Sequence, residues 1–163
     1  VVFLESPAVE REIDVAHLQA DTELVEVALP RFDPRIGDAV ARREVFVRMN
    51  GPQVFKVAVQ SMEQVARDTL AKVGWGIGDV DCVIAHQANQ RILSAVADRL
   101  EIPSEKMPTN LQVRGNTSAA SIPVLLDECN RAGRFKRGDK LLLVAFGGGL
   151  TWGASAVEWT RDA

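Results

Sequence analysis

The chain of 163 residues holds two cysteines, and neither belongs to a CxxC pair. That is too few for the disulfide framework of a small secreted domain, and it offers no structural-metal spacing, so a reducing compartment suits the usage. Long apolar runs are absent too. Nothing approaches the roughly 20 residues that cross a bilayer, and no basic segment leads into an apolar stretch at the start, so the expectation is a cytoplasmic protein with no membrane partner. Neither sign of charge dominates: 19 basic and 22 acidic residues are spread along the chain, for a net charge of −3. Without a concentrated basic patch, nucleic acid is not an expected partner. There is no internal repeat and no low-complexity stretch.

What is present is average: 47% hydrophobic and 25% charged residues, enough to bury one ordinary core, so a single domain over 1–163 is expected. The chain opens directly into Val1-Val2-Phe3-Leu4, a β-rich run with no capping turn before it. This reads as a cut through a longer chain, or as a subunit whose N-terminal partner is a separate polypeptide.

Alternation of apolar and polar residues predicts strands over Ile13 to Leu18 and Glu23 to Leu29, followed by loop composition from Pro30 to Arg43. From Pro52 the period changes. Phe55, Val59, Met62, Ala66, Leu70 and Val73 line one helical face, with Pro52 suited to the first turn and Gly74, Gly76 and Gly78 ending the helix. Next come a strand from Asp81 to Ala85 and a helix from Asn89 to Leu100 with Ile92, Val96 and Leu100 on one stripe. Pro103 and Pro108 bracket a connection to a helix from Thr117 to Ala132, where Ala119, Ala120 and Ser121 are small enough for close packing. Lys140 to Phe146 has the continuous apolar character of a strand buried on both faces, and Ala154 to Trp159 is a last strand.

Chemistry is expected where strands hand over to helices, because α/β proteins bind ligands at the carboxyl ends of their strands. His86 stands at such a junction and is followed by the amides Gln87 and Asn89, so its ring is expected to border a cleft, although a lone histidine is more often structural. Asn116, after Gly115 and before Thr117-Ser118, reads either as a side-chain donor or as a helix cap. Gly147-Gly148-Gly149 reads either as a plain turn or as a place where backbone approaches a ligand closely. Lys56 reads as a solvated helix residue and His17 as structural. Cys82 lies in an apolar strand and Cys129 late in a helix, far from a helix N-terminus that could activate a thiol, so both read as small core residues.

Three stretches carry a resemblance: Val83-Ile84-Ala85-His86-Gln87-Ala88-Asn89-Gln90-Arg91-Ile92, Arg114-Gly115-Asn116-Thr117-Ser118-Ala119-Ala120-Ser121-Ile122-Pro123, and Ala145-Phe146-Gly147-Gly148-Gly149-Leu150-Thr151-Trp152-Gly153. Together they resemble the C-terminal half of a β-ketoacyl-acyl carrier protein synthase III, a condensing enzyme of the thiolase fold, from about Arg48 to Trp159. The resemblance implies an α/β half with a mixed five-stranded sheet and helices on both faces, paired with an N-terminal half and then into a homodimer. It implies a decarboxylative Claisen condensation of acyl-CoA with malonyl-acyl carrier protein, with no metal or redox cofactor and with the nucleophilic cysteine on the absent N-terminal half. His86 and Asn116 would donate to the enolate oxygen, a backbone N–H at Gly148 would bind the tetrahedral oxyanion, and Phe146 would lie beside the nucleophile. Arg91 would contact the acyl carrier protein, and the stretch with Met49 and Phe55 would line the substrate tunnel. Pro52 and Gln53 depart from many relatives, which leaves the preference for CoA or carrier open. A secondary-metabolite starter or ester-forming synthase, or a non-catalytic partner subunit, would carry the same residues.

Overall fold

The computed structural model describes residues 2–4, 25–27 and 47–161. The expected strand at Ile13 to Leu18, the loop at Pro30 to Arg43 and His17 lie outside these residues. Of the strand expected over Glu23 to Leu29, the described part is β2 (Val25–Val27), which pairs antiparallel with β3 (Val47–Met49) in a two-stranded sheet. β1 is Val2–Leu4.

Helix α1 (Gly51–Val73) has two legible ends. Asn50 caps the start by accepting the Gln53 N–H at 3.3 Å, Pro52 falls in the first turn where a missing N–H costs nothing, and Gly74 closes the end at φ 71°. Ala58, Val59, Met62, Val65, Ala66 and Leu70 bury one face, as the period requires. β4 (Cys82–Ala85) is buried along its whole length and passes through Gln87 and Ala88 into α2 (Gln90–Leu100), whose cap is Asn89, accepting the Ile92 N–H at 3.0 Å.

The connection after α2 contains a four-residue helix, α3 (Leu111–Arg114), that the sequence does not announce. The helix expected from Thr117 starts later: Ser118–Ala120 form a 3₁₀ turn and α4 runs Ser121–Arg131. The reason is local. Ser118 has φ 56° and Gly115 φ 66°, so the chain here is not helical. Ala119 and Ala120 are exposed and not packed on neighbours as their size suggested, whereas Ser121 is buried.

β5 (Lys140–Gly147) and β6 (Thr151–Glu158) form a hairpin closed by Gly148, Gly149 and Leu150. The main sheet has the order β1-β6-β5-β4 and is mixed: β4 and β5 are parallel, the other neighbours antiparallel. Four strands of the expected mixed sheet are thus described. Alternation along β4 and β5 sends Val83, Ala85, Leu142 and Val144 into a core with α1 and α2, and Cys82, Ile84 and Leu141 into a second core with Leu125, Cys129 and Phe135. Helices therefore cover both faces. None of the described helices is long and apolar enough to cross a membrane.

Candidate active site

The parallel pair β4 and β5 ends at a cleft of about 440 Å³. His86 enters it from the end of β4, and its backbone is tied to β5 because its N–H donates to the Val144 carbonyl at 2.8 Å, one step beyond the strand ladder. Phe146, Gly147 and Gly148 enter from the end of β5, Trp152 from the start of β6, Ser118 from the approach to α4, and Ser121 and Ile122 from its first turn. None of the lining residues is acidic, lysine or arginine. Negative charge developing in this cleft would meet no opposing carboxylate in these walls.

The His86 ring is half-buried, and burial pushes its pKa below the ordinary value of 6.5, so the imidazole is neutral near pH 7. Its Nδ1 lies 2.7 Å from Ser121 Oγ, and the Gln87 N–H also reaches that oxygen, at 3.3 Å. Gln87 is fully buried: its amide NH₂ donates to the Ala85 carbonyl at 2.9 Å, and its Oε1 accepts the Thr109 hydroxyl at 2.8 Å and the Asn110 N–H at 3.2 Å. This clasp ties the His86 junction to the segment that leads to Asn116. Farther along, Glu128 on α4 accepts from Asn110 Nδ2 at 2.7 Å and Arg114 Nε at 2.8 Å.

The structure brings His86, Phe146 and Gly148 to one cleft. Asn116 is exposed and lies next to this lining, not in it. Its Oδ1 accepts the Ser118 N–H at 2.9 Å, so the capping-type contact weighed against a donor role is present. The two uses are compatible, since the bond holds the oxygen and leaves the NH₂ end as donor. Arg91 and Phe55 meet outside the cleft, the guanidinium 5.5 Å from the ring centroid, and Met49 is 61% exposed. Cys82 and Cys129 are buried; burial, with the Cys129 neighbour, pushes the Cys82 thiol up to about 11, and burial raises Cys129. Both are inert core residues. Among the described residues no group of three or more His, Cys, Asp or Glu could hold a metal ion. Ser121 was not singled out by its chemistry in the sequence, where a serine beside two alanines reads as a small packing residue; Gln87, expected as an amide beside a cleft, is instead fully buried and bonded internally.

The family model for the C-terminal region of 3-oxoacyl-[acyl-carrier-protein] synthase III matches residues 70–159. The chain belongs to this family. It is 51% identical over 128 residues to the β-ketoacyl-[acyl-carrier-protein] synthase III of Desulfitobacterium hafniense, covering 78% of this chain and 39% of that protein. Among solved structures, it resembles the synthase III of Aquifex aeolicus at 53% identity with a TM-score of 0.68, over 70% of this chain and 37% of that one. It also resembles that of Thermus thermophilus at 34% identity with a TM-score of 0.74, over 99% of this chain and 46% of that one. The chain therefore spans about two-fifths of the length of the curated synthase III relatives it matches.

Proposed function

We propose that this chain supplies the decarboxylating half of a synthase III active site, acting with an N-terminal half that carries the nucleophilic cysteine. The complete reaction is the condensation of an acyl-CoA with malonyl-acyl carrier protein in fatty-acid initiation. The acyl group moves from CoA to the cysteine sulfur. The malonyl thioester then loses CO₂, and the electrons of the broken C–C bond pass to the thioester oxygen as an enolate. The enolate carbon attacks the acyl-cysteine, the tetrahedral intermediate collapses, and the thiolate leaves, giving a β-ketoacyl carrier. No metal or redox group takes part.

The observation that carries this reading is the meeting of a half-buried histidine and a glycine turn at one cleft without charged side chains in its lining, on the ends of parallel strands. A donor fixed where charge develops stabilises the transition state more than the ground state. His86 gives one such donor to the enolate oxygen and the Asn116 NH₂ a second. The Gly148 N–H serves the tetrahedral oxyanion, for which absence of a Cβ permits close approach. Phe146 flanks the cysteine. Arg91, held over Phe55 at the start of α2, meets the acidic carrier, and Met49 with Phe55 lies along the substrate's path.

In the complete enzyme, His86→Ala and Asn116→Ala are each expected to lower malonyl decarboxylation by roughly 10²–10³-fold, the usual effect of removing one oxyanion donor, while acyl transfer to the cysteine stays comparatively intact. Separate assays of ¹⁴CO₂ release and of acyl-enzyme formation read the two steps. Near-normal condensation by His86→Ala would sink the role given to it.

A further inference from the structure

We propose that Ser121 is a positioning residue that holds His86 in the Nε2–H tautomer, so that the imidazole offers the cleft a hydrogen-bond donor and not a base. The argument is one of proton placement. A serine hydroxyl has one proton to give and two lone pairs to receive with. The Gln87 N–H points at Ser121 Oγ from 3.3 Å and takes one lone pair. The serine proton then has one acceptor in reach among the described residues, His86 Nδ1 at 2.7 Å. Ser121 is 2% exposed, so its side chain offers the solvent of the cleft almost no surface.

The opposite arrangement, Nδ1–H donating to Oγ, would leave the serine O–H buried and unpaired, which proteins avoid. A nitrogen that accepts a proton bond at Nδ1 must, in the neutral ring, carry its hydrogen on Nε2. Nε2 has no partner among the described residues and belongs to a ring that lines the cleft. The lock is rigid because both partners are. Ser121 is the first residue of α4, and the His86 backbone is pinned to β5 through Val144. A carboxylate in place of the hydroxyl would favour the imidazolium; a hydroxyl orients the ring without adding charge. What this donor does in decarboxylation rests on the function proposed above, whereas the tautomer does not.

With ¹⁵N-histidine in the complete enzyme, a two-bond ¹H–¹⁵N correlation spectrum, with the His86 ring assigned by its loss in His86→Gln, shows which ring nitrogen carries hydrogen. The expected result is a single species protonated at Nε2, retained in Ser121→Thr and replaced by a tautomer mixture in Ser121→Ala. A ring protonated at Nδ1 in the unsubstituted protein would overturn the proposal, as would a mixture in Ser121→Thr or an unchanged spectrum in Ser121→Ala. In the complete enzyme, Ser121→Ala should lower kcat for malonyl decarboxylation by about tenfold with little change in KM, less than the roughly 10²–10³-fold of removing a donor outright, and Ser121→Thr should recover it. A shifted tautomer with undiminished decarboxylation would support the lock and count against the role assigned to His86.

Discussion

His86 is the one titratable side chain among the described residues that line the cleft, and its burial links proton uptake to folding. Its folded pKa lies below the ordinary 6.5, so between those two values the unfolded chain binds a proton that the folded chain refuses. The contribution is complete above about 6.5 and is lost as pH falls through that window. Glu63, held down by Arg99, and Glu128, held down by Asn110 and Arg114, act in the same direction but lower, as pH falls below their ordinary 4.5. Urea unfolding of a His17→Gln background at about pH 7.5 and about pH 5.5 should therefore show a lower midpoint at the acid value, and a smaller gap in His86→Gln. An equal gap in both proteins would contradict the histidine's part in it. At this scale the sequence was legible where chemistry is local. Gly74 declares a helix end by residue type and place, and Cys82 declares burial by its apolar neighbours, whereas Asn89, expected as the first helical residue, is the cap of α2. Ser121 was not legible, because its partner His86 stands 35 positions earlier and only the tertiary fold brings them together.

Among elements, the Gln87 clasp shows how one buried amide holds two segments. Its Oε1 satisfies the Thr109 hydroxyl and the Asn110 N–H together. Gln87→Leu would strand both donors, and leaving a buried polar group unpaired costs about 1–3 kcal/mol. Thr109→Val removes one donor together with its need for a partner, and about 1 kcal/mol is expected. Denaturant titration should place Gln87→Leu clearly below Thr109→Val; the reverse order would show that the amide is not the organising contact. The long elements were legible because their periods run for several turns, as in α1, or because alternation is replaced by uniform burial, as in β4. The four residues of α3 are too few for a period, and the delayed start of α4 follows from positive φ at Gly115 and Ser118, which the residue types only half reveal.

For the whole molecule, surface composition bears on association. Val113 is 81% exposed and Met49 61%, and the cleft walls include Phe146 and Trp152. With relatives more than twice as long, an apolar face that another half of the enzyme would cover is expected to lie open on this chain. Light scattering on the purified 163-residue chain should show association, and addition of an N-terminal half should give a discrete oligomer. A well-behaved monomer with cooperative unfolding would instead mark a self-sufficient domain and favour a scaffold over half an enzyme. The fold class was legible at this scale because two of the three motifs fall at strand ends, those of β4 and β5, while the one with Asn116 follows α3 and not a strand; the convergence of the three on one cleft, with Asn116 just outside its lining, required the structure.

The bond from the His86 N–H to the Val144 carbonyl has a geometric consequence. Gly148 lies four residues beyond Val144 on the same strand and its turn. The histidine and the glycine turn are thus measured from one ruler, β5, and not from two elements that could slide past each other. If the helices around the sheet breathe, β5 carries both groups with it, and their spacing holds while their surroundings shift.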